Sequence, residues 1–434
     1  MLYRISRSSL FYICLIFFLL FSLSFTYYIY SIPDNINIFE NETRSFHVNF
    51  PFMLSFSTED EILAYTNSNK TIRHSYNISP LKQGNSKLEL TLFGKIPIKK
   101  IDVSVVPDCQ VIPGGHSIGV KMNIKGVLVV GMEEIENSMG EYINPSLESG
   151  LQIGDVILAI NGTDVNDSSH VQSLINDSSN EVKIKIKRKD NIFNFNVKPV
   201  LSKLDNAYRI GLWVRDKTAG VGTLTYYNTL DKTFGALGHA ITDVDTGILY
   251  NVQDGEILNS KVLSVQQGKS GYPGEIKGIF YEADKPIGAL RFNTEFGIFG
   301  EIYNNIRNPM FQTSIPIGYQ NDIRKGKAYI LTTLEDNKID RYEVYIEKIN
   351  YQTKPDTKSM IIRVTDERLL KKSGGIVQGM SGSPIIQNGK LIGAVTHVFV
   401  NDPSKGYAIF IEWMLRINES ENQNQIVNNL NIAN

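Results

Sequence analysis

Hydrophobic and polar positions change rhythm several times along the 434 residues. The stretch Leu10–Ile32 is uncharged and largely apolar, and roughly 23 residues of this kind can cross a bilayer as a helix. Arg4 and Arg7 precede it and the aromatic run Thr26–Ser31 closes it. That arrangement suits a membrane interface and predicts Met1 on the cytoplasmic side, with everything after Pro33 translocated. A cleavable signal has a shorter apolar core and small residues after it, so a membrane anchor is expected over 1–32. From 33 to 107 apolar and polar residues alternate, as in Lys87-Leu88-Glu89-Leu90-Thr91-Leu92-Phe93 and Val103-Ser104-Val105-Val106. A period of two is the mark of half-buried strands, and a small β-rich module is expected there.

Between 108 and 200 the runs Gly119-Val120-Lys121-Met122 and Gly126–Gly131 read as strands with a break between them. Pro145–Leu151 reads as a short helix stopped by Gly150, and Val156–Ile160 as a buried strand entering a turn at Asn161-Gly162. After Val200 come short strands punctuated by glycine: Gly211–Val214, Gly220–Tyr227, Thr233–Leu237, Gly288–Phe292, Ala328–Leu331 and Tyr342–Ile349. Such spacing predicts a β-barrel or a pair of barrels over 201–434. The polar, Asn-rich tail after Leu415 is expected to be one amphipathic helix. The fold class is therefore mainly β.

Composition narrows the chemistry. A net charge of −1 argues against a general nucleic-acid binder. Lys183, Lys185, Lys187, Arg188 and Lys189 alternate with Ile184 and Ile186, which is the solvated face of a strand. Two cysteines, one of them inside the apolar run, make no disulfide framework. Six histidines without metal-ligand spacing call for no metal or organic cofactor.

The run Gly379-Met380-Ser381-Gly382-Ser383-Pro384 has the layout of a serine nucleophile turn. Attack on a carbonyl needs backbone donors already aimed at the developing oxyanion, and here they would be the amides of Gly379 and Ser381. Pro384-Ile385-Ile386, the pair Asn388-Gly389 and the return run Leu391–Val398 predict a hairpin behind the serine. A serine needs a base, and the base needs an orienting group. His239 follows a strand in Phe234-Gly235-Ala236-Leu237-Gly238-His239, and His397 on the return strand is its rival. Asp366, ending the apolar run Ile361–Thr365, is the candidate acid. Asp243, Asp245, Asp254 and Asp284 sit in turn contexts.

Two resemblances follow from these residues. Ser149-Gly150-Leu151 with Gly154-Asp155, Ile157-Leu158 and Ile160-Asn161-Gly162 resembles a PDZ domain. That resemblance implies peptide binding by strand addition, with the carboxylate loop at Ser117-Ile118-Gly119-Val120. An anchor, a β module and a PDZ domain precede Gly238-His239-Ala240-Ile241-Thr242-Asp243 and the Ser381 turn. This order resembles the SpoIVB peptidase family, as do Val111–Val120 and Gly374–Gln378. The resemblance implies a trypsin-like serine endopeptidase with Ser381 as nucleophile, His239 as base and Asp366 as acid. It further implies a sporulation protease exported to the space between the forespore membranes. There it would cleave itself and a membrane-bound regulator of an intramembrane protease, activating the late mother-cell sigma factor. The other readings are a PDZ scaffold with an inactive protease-like domain and an HtrA-like envelope protease. Domain order disfavours the latter, since those proteases place the PDZ domain last.

Overall fold

The computed structural model describes all residues except 1–6, 57–60, 71–72, 283, 304–305 and 433–434, together with some further side chains near these and in the two terminal helices. The chain divides into two compact units, Met1–Cys109 and Gln110–Asn434. In the first, helix α1 (Arg7–Ser31) precedes strands that build a four-stranded and a three-stranded sheet. Their alternating apolar faces meet in a core that includes Ile38, Ile78, Leu88, Leu90 and Val103. Residues 1–6 of the expected anchor, Arg4 included, lie outside the described residues. Among the described residues no helix is long and apolar enough to cross a membrane.

The second unit is organised by two 16-residue strands, β1 (Ser117–Met132) and β5 (Leu212–Tyr227), paired antiparallel from Leu212↔Met132 to Thr223↔Ser117. Each serves two cores. Ile118, Val120, Met122 and Ile124 alternate into one, whereas Val127 and Val129 face the other. Leu128 stays in the first core, so beyond Gly126 the strand is buried on both faces; Gly126 itself has φ 83°, and a Cβ there would lie 2.6 Å from the Ile157 carbonyl. The ladder shifts register at the same level, between Arg215 and Lys217. Strand β1 advances five residues there, Leu128 to Asn123, while β5 advances two, and such an irregularity bends the strand locally.

On one side of this shift lies a PDZ-like sheet. Strand β2 (Val156–Ile160) pairs with β1 and with β3 (Val182–Arg188), and β3 pairs with β4 (Asn191–Val197). Helices α2 (Pro145–Ser149) and α3 (Ser168–Asn176) flank it. The Gly154-Asp155 turn is pinned from within: Arg188 holds both oxygens of the buried Asp155 carboxylate at 2.6 and 2.8 Å, and the Gln152 amide donates to it at 2.8 Å.

On the other side, β1 pairs with β7 (Val252–Gln266) and β7 with β8 (Gly288–Thr294). Pairing continues through β9 (Gly297–Ile302) and β6 (Thr233–Ala236) back to β5, closing a ring of six strands. A second closed barrel contains β10 (Gly326–Thr333), β11 (Ile339–Ile349), β12 (Met360–Val364), β13 (Pro384–Gln387), β14 (Lys390–Phe399) and β15 (Asp402–Phe410). The expected hairpin is present as β13–β14, with Asn388 and Gly389 both at positive φ. Helix α4 (Glu367–Ser373) leads to the serine turn, and α5 (Ile411–Ile432) follows the barrel.

Asp155→Ala should strand the Arg188 guanidinium and the Gln152 amide. A loss of about 2–3 kcal/mol is expected for charge-assisted bonds to a buried carboxylate, read as a lowered denaturation midpoint of the full chain.

Candidate active site

The serine turn is held by its own peptide groups. The Met380 amide donates to Val377 O at 3.1 Å, that of Gly382 to Val395 O at 2.8 Å, and that of Ser383 to Met380 O at 2.9 Å. Gln378 is bound on both sides by the edge Gly274–Ile276. Gly379, at φ 95°, lies against Ile276, where a Cβ would approach to 2.9 Å. The amides of Gly379 and Ser381 donate to no group among the described residues. They flank Met380 and are the two donors expected to meet an oxyanion.

Ser381 is partly exposed, and its hydroxyl donates to the Thr396 carbonyl at 2.8 Å. His239 is delivered by β6 through Leu237 (φ 68°) and Gly238 (φ 71°), a sharp left-handed step that turns the chain out of the barrel. The two turns are packed together. A Cβ on Gly382 would stand 2.5 Å from the Leu237 amide nitrogen, and one on Gly238 3.1 Å from Thr396 Cγ2. The His239 ring lies 5.0 Å, centroid to centroid, from that of His397. The turn that delivers His239 is thus packed against the serine turn, and the two imidazoles lie next to each other.

His239 Nδ1 donates to the Ala240 carbonyl at 2.8 Å, which leaves Nε2 as the acceptor. Burial pushes the His239 pKa below its ordinary value, partly offset by that carbonyl. His397 is pushed down to about 4 by burial, then by the neighbouring His239 and Lys358. At neutral pH the site therefore holds two neutral imidazoles.

Asp366 stands elsewhere. Its side chain caps α4 through the Arg368 amide, accepts from the Arg368 guanidinium and receives the Glu343 amide. None of its hydrogen bonds reaches His239. His397 is in register with Tyr407, and Tyr407 with Ile361. Asp366 lies five residues past Ile361, about 16 Å farther along at ~3.3 Å per residue. The orienting group at His239 Nδ1 is a backbone carbonyl, and the expected Asp366 contact is not made.

The loop after His239 is fixed by two side chains. Asn293 binds both the amide and the carbonyl of Ile241 at 2.8 Å, and the Tyr250 carbonyl at 2.9 Å. Asp243 is buried and accepts from Thr246, the Tyr250 hydroxyl and Arg215 of β5. Burial alone would raise its pKa, but Tyr250, Thr246 and Arg215 hold it at about 2. Asp243 is thus a turn former, as its sequence context indicated.

The expected carboxylate loop is corrected. Ser117-Ile118-Gly119-Val120 lies inside the sheet: β5 pairs with all four residues, and β7 takes the other edge of Ile118–Val120. No strand can be added there. The open edge is at Leu212–Asp216, which pairs with β1 on one side and faces α3 on the other. A groove of about 660 Å³ runs between them, lined by Val171, Gln172 and Ile175 of α3 and by Ile210, Leu212 and Val214. At its end the carbonyls of Ile210 and Gly211 are taken by the amides of Ser146 and Glu133, each at 3.1 Å. The amides of Ile210 and Gly211 have no acceptor among the described residues. Gly211 sits at φ 75°, where a Cβ would meet the Glu133 carbonyl at 2.4 Å. The sequence signal was a second apolar-Gly-apolar run, Ile210-Gly211-Leu212, lying beyond the expected domain boundary at residue 200.

Two measurements test this electrostatic layout. Asp243 has a depressed folded pKa, so its stabilisation is full above the unfolded value near ~3.9 and is lost as pH falls toward about 2. Wild-type melting temperature should drop through that window, and Asp243→Asn should be less stable at neutral pH and flatter across it. Asp366→Ala should cost about 1 kcal/mol as a lost helix cap, whereas Asp366→Asn, which still caps, should keep both stability and activity. A rate loss near ~10⁴-fold in the Asn variant would restore Asp366 as the orienting acid.

Two segments of the chain match known families. Residues 206–415 match the SpoIVB peptidase S55 family and residues 118–198 match the PDZ domain family. No curated protein matches the chain. Among solved structures, the active form of the Rv3671c protease from M. tuberculosis aligns at 14% identity and TM-score 0.26, covering 45% of this chain and 70% of that one. The inactive form of the Rv3671c protease aligns at 13% identity and TM-score 0.26, covering 45% and 81%. The chain is a peptidase whose segment 206–415 is similar to the SpoIVB peptidase S55 family, with a PDZ domain ahead of that segment.

Proposed function

We propose that Ser381 is the nucleophile of a serine endopeptidase and His239 its general base. The observation that carries this is the pair of unpartnered amides, Gly379 and Ser381, in a turn packed against the one that delivers His239. In the reaction the Ser381 hydroxyl leaves the Thr396 carbonyl and gives its proton to His239 Nε2 as its oxygen attacks the peptide carbonyl carbon. The oxyanion is received by the two amides. His239 then passes the proton to the leaving amine, and water repeats the sequence on the acyl-enzyme. The Ala240 carbonyl keeps Nδ1 protonated, doing part of what a carboxylate does in other triads. It supplies no charge to stabilise the imidazolium, which fits a protease held at low basal activity.

The groove between β5 and α3 would take an extended peptide as an added strand, its carboxylate against the amides of Ile210 and Gly211. By its family the enzyme serves sporulation signalling, cutting itself and a membrane-bound regulator of an intramembrane protease. An N-terminal anchor over 1–32 would hold it on the extracytoplasmic face, in the forespore intermembrane space. Support for the anchor is the apolar run itself and the exposure of Phe17, Phe18, Leu20 and Leu23 along α1.

The test is a time course of the full chain in detergent, wild type beside Ser381→Ala, followed by intact mass. Discrete N-terminal trimming is expected in the wild type alone, and His239→Ala should slow it by about 10⁶-fold, as loss of a triad base does. Trimming that persists in Ser381→Ala would sink the assignment. Stable peptide binding without turnover would favour the inactive scaffold.

A further inference from the structure

We infer that Thr223 is the positioning residue that keeps the Gly379 and Ser381 carbonyls of the serine turn out of the oxyanion space, a role that rests on Ser381 being the nucleophile. Thr223 lies on β5 and is 2% exposed. Its hydroxyl donates to the Gly379 carbonyl at 2.8 Å and its amide to the Ser381 carbonyl at 3.0 Å. A trans peptide points its N–H opposite to its C=O, so the direction of each amide in the turn is decided by what holds the carbonyls.

Four successive peptide planes make the turn. The carbonyls of Gln378 and Met380 are held by the amides of Ile276 and Ser383, which aims the amides of Gly379 and Ser381 away from them. The two alternate planes, those of the Gly379 and Ser381 carbonyls, are both held by Thr223. Gly379 sits at positive φ and has no Cβ, so once the hydroxyl is gone only the Met380 amide bond to Val377 O, at 3.1 Å, opposes rotation of its peptide. A rotated Gly379 carbonyl presents an acceptor where the site needs donors. The hydroxyl therefore removes a second state of the turn.

Its neighbour supplies the contrast. Thr225, two residues on in the same strand, is fully buried with a hydroxyl that has no partner. A strand buried at this point favours a β-branched apolar residue, and an unbonded hydroxyl there is only a cost. At Thr223 the same hydroxyl holds a carbonyl of the turn, and Thr223→Val deletes that bond with little change of shape.

The experiment measures labelling of Ser381 by an alkyl fluorophosphonate in the full chain in detergent, with Ser381→Ala as the blank. The phosphoryl oxygen of this probe enters the space an oxyanion takes. Thr223→Val should lower the limiting labelling rate by about 10- to 100-fold, less than the ~10²–10³ seen when an oxyanion donor itself is removed. The concentration for half-maximal rate should stay near that of the wild type. Thr223→Ser should rescue the rate, and Thr225→Val should label as the wild type does. Should Thr223→Val not fold, Thr223→Cys, a weaker donor, takes its place in the same comparison and should fall between serine and wild type on one side and full loss on the other. Equal labelling of Thr223→Val and wild type, failure of serine to rescue, or an equal loss in Thr225→Val overturns the clamp alone. Labelling that survives in Ser381→Ala overturns the nucleophile and the clamp with it.

Discussion

The ladder between Ser117–Met132 and Leu212–Tyr227 is the constraint on which the second unit depends. Strands of this length cannot bury one face against a single small core, so each crosses from the PDZ-like sheet into the first barrel. The register shift around Gly126 marks the crossing. Because β5 is continuous, one element carries the open edge at Leu212–Asp216, the Arg215 contact to buried Asp243, and the Thr223 contacts to the serine turn. The groove edge and the contacts to the serine turn are consequently carried by one strand.

The second consequence concerns charge. The site holds two imidazoles with pKa values below the ordinary one, and among the described residues no carboxylate accepts from His239. The candidate acids serve architecture: Asp243 with Arg215 stabilises the loop after His239, and Asp366, away from the site, stabilises the start of α4 with Arg368. A neutral base with a free Nε2 is competent to accept a proton, while the serine hydroxyl rests on Thr396 and awaits substrate. Orientation of the imidazole by a carbonyl secures its tautomer without the electrostatic gain of a buried anion.

Much of this was legible in the chain itself. The Asn388-Gly389 turn, the Gly150 helix stop, the Gly154-Asp155 turn and the Asn161-Gly162 hairpin are local features, decided by residues that tolerate positive φ and by strand periodicity. The same locality made Ser381 and His239 readable, since each stands in a short glycine turn that only a few side chains permit. Sequence therefore determined the element types, the mainly β class and the two glycine turns at Ser381 and His239.

Tertiary structure decided the pairings. Ser117-Ile118-Gly119-Val120 and Ile210-Gly211-Leu212 carry the same apolar-Gly-apolar pattern, and which of them lies at an open edge depends on which strands flank it. The end of a buried strand suggested Asp366 as the acid, but where that strand end lies relative to His239 follows from barrel register, which no local pattern encodes. Thr223 looked like any β-branched strand residue until its hydroxyl met a carbonyl 156 residues away. Backbone preferences act over a few residues, and so the sequence alone sufficed for turns and strands. Hydrogen-bond partners across a sheet depend on every element between them, and only the folded chain could assign them.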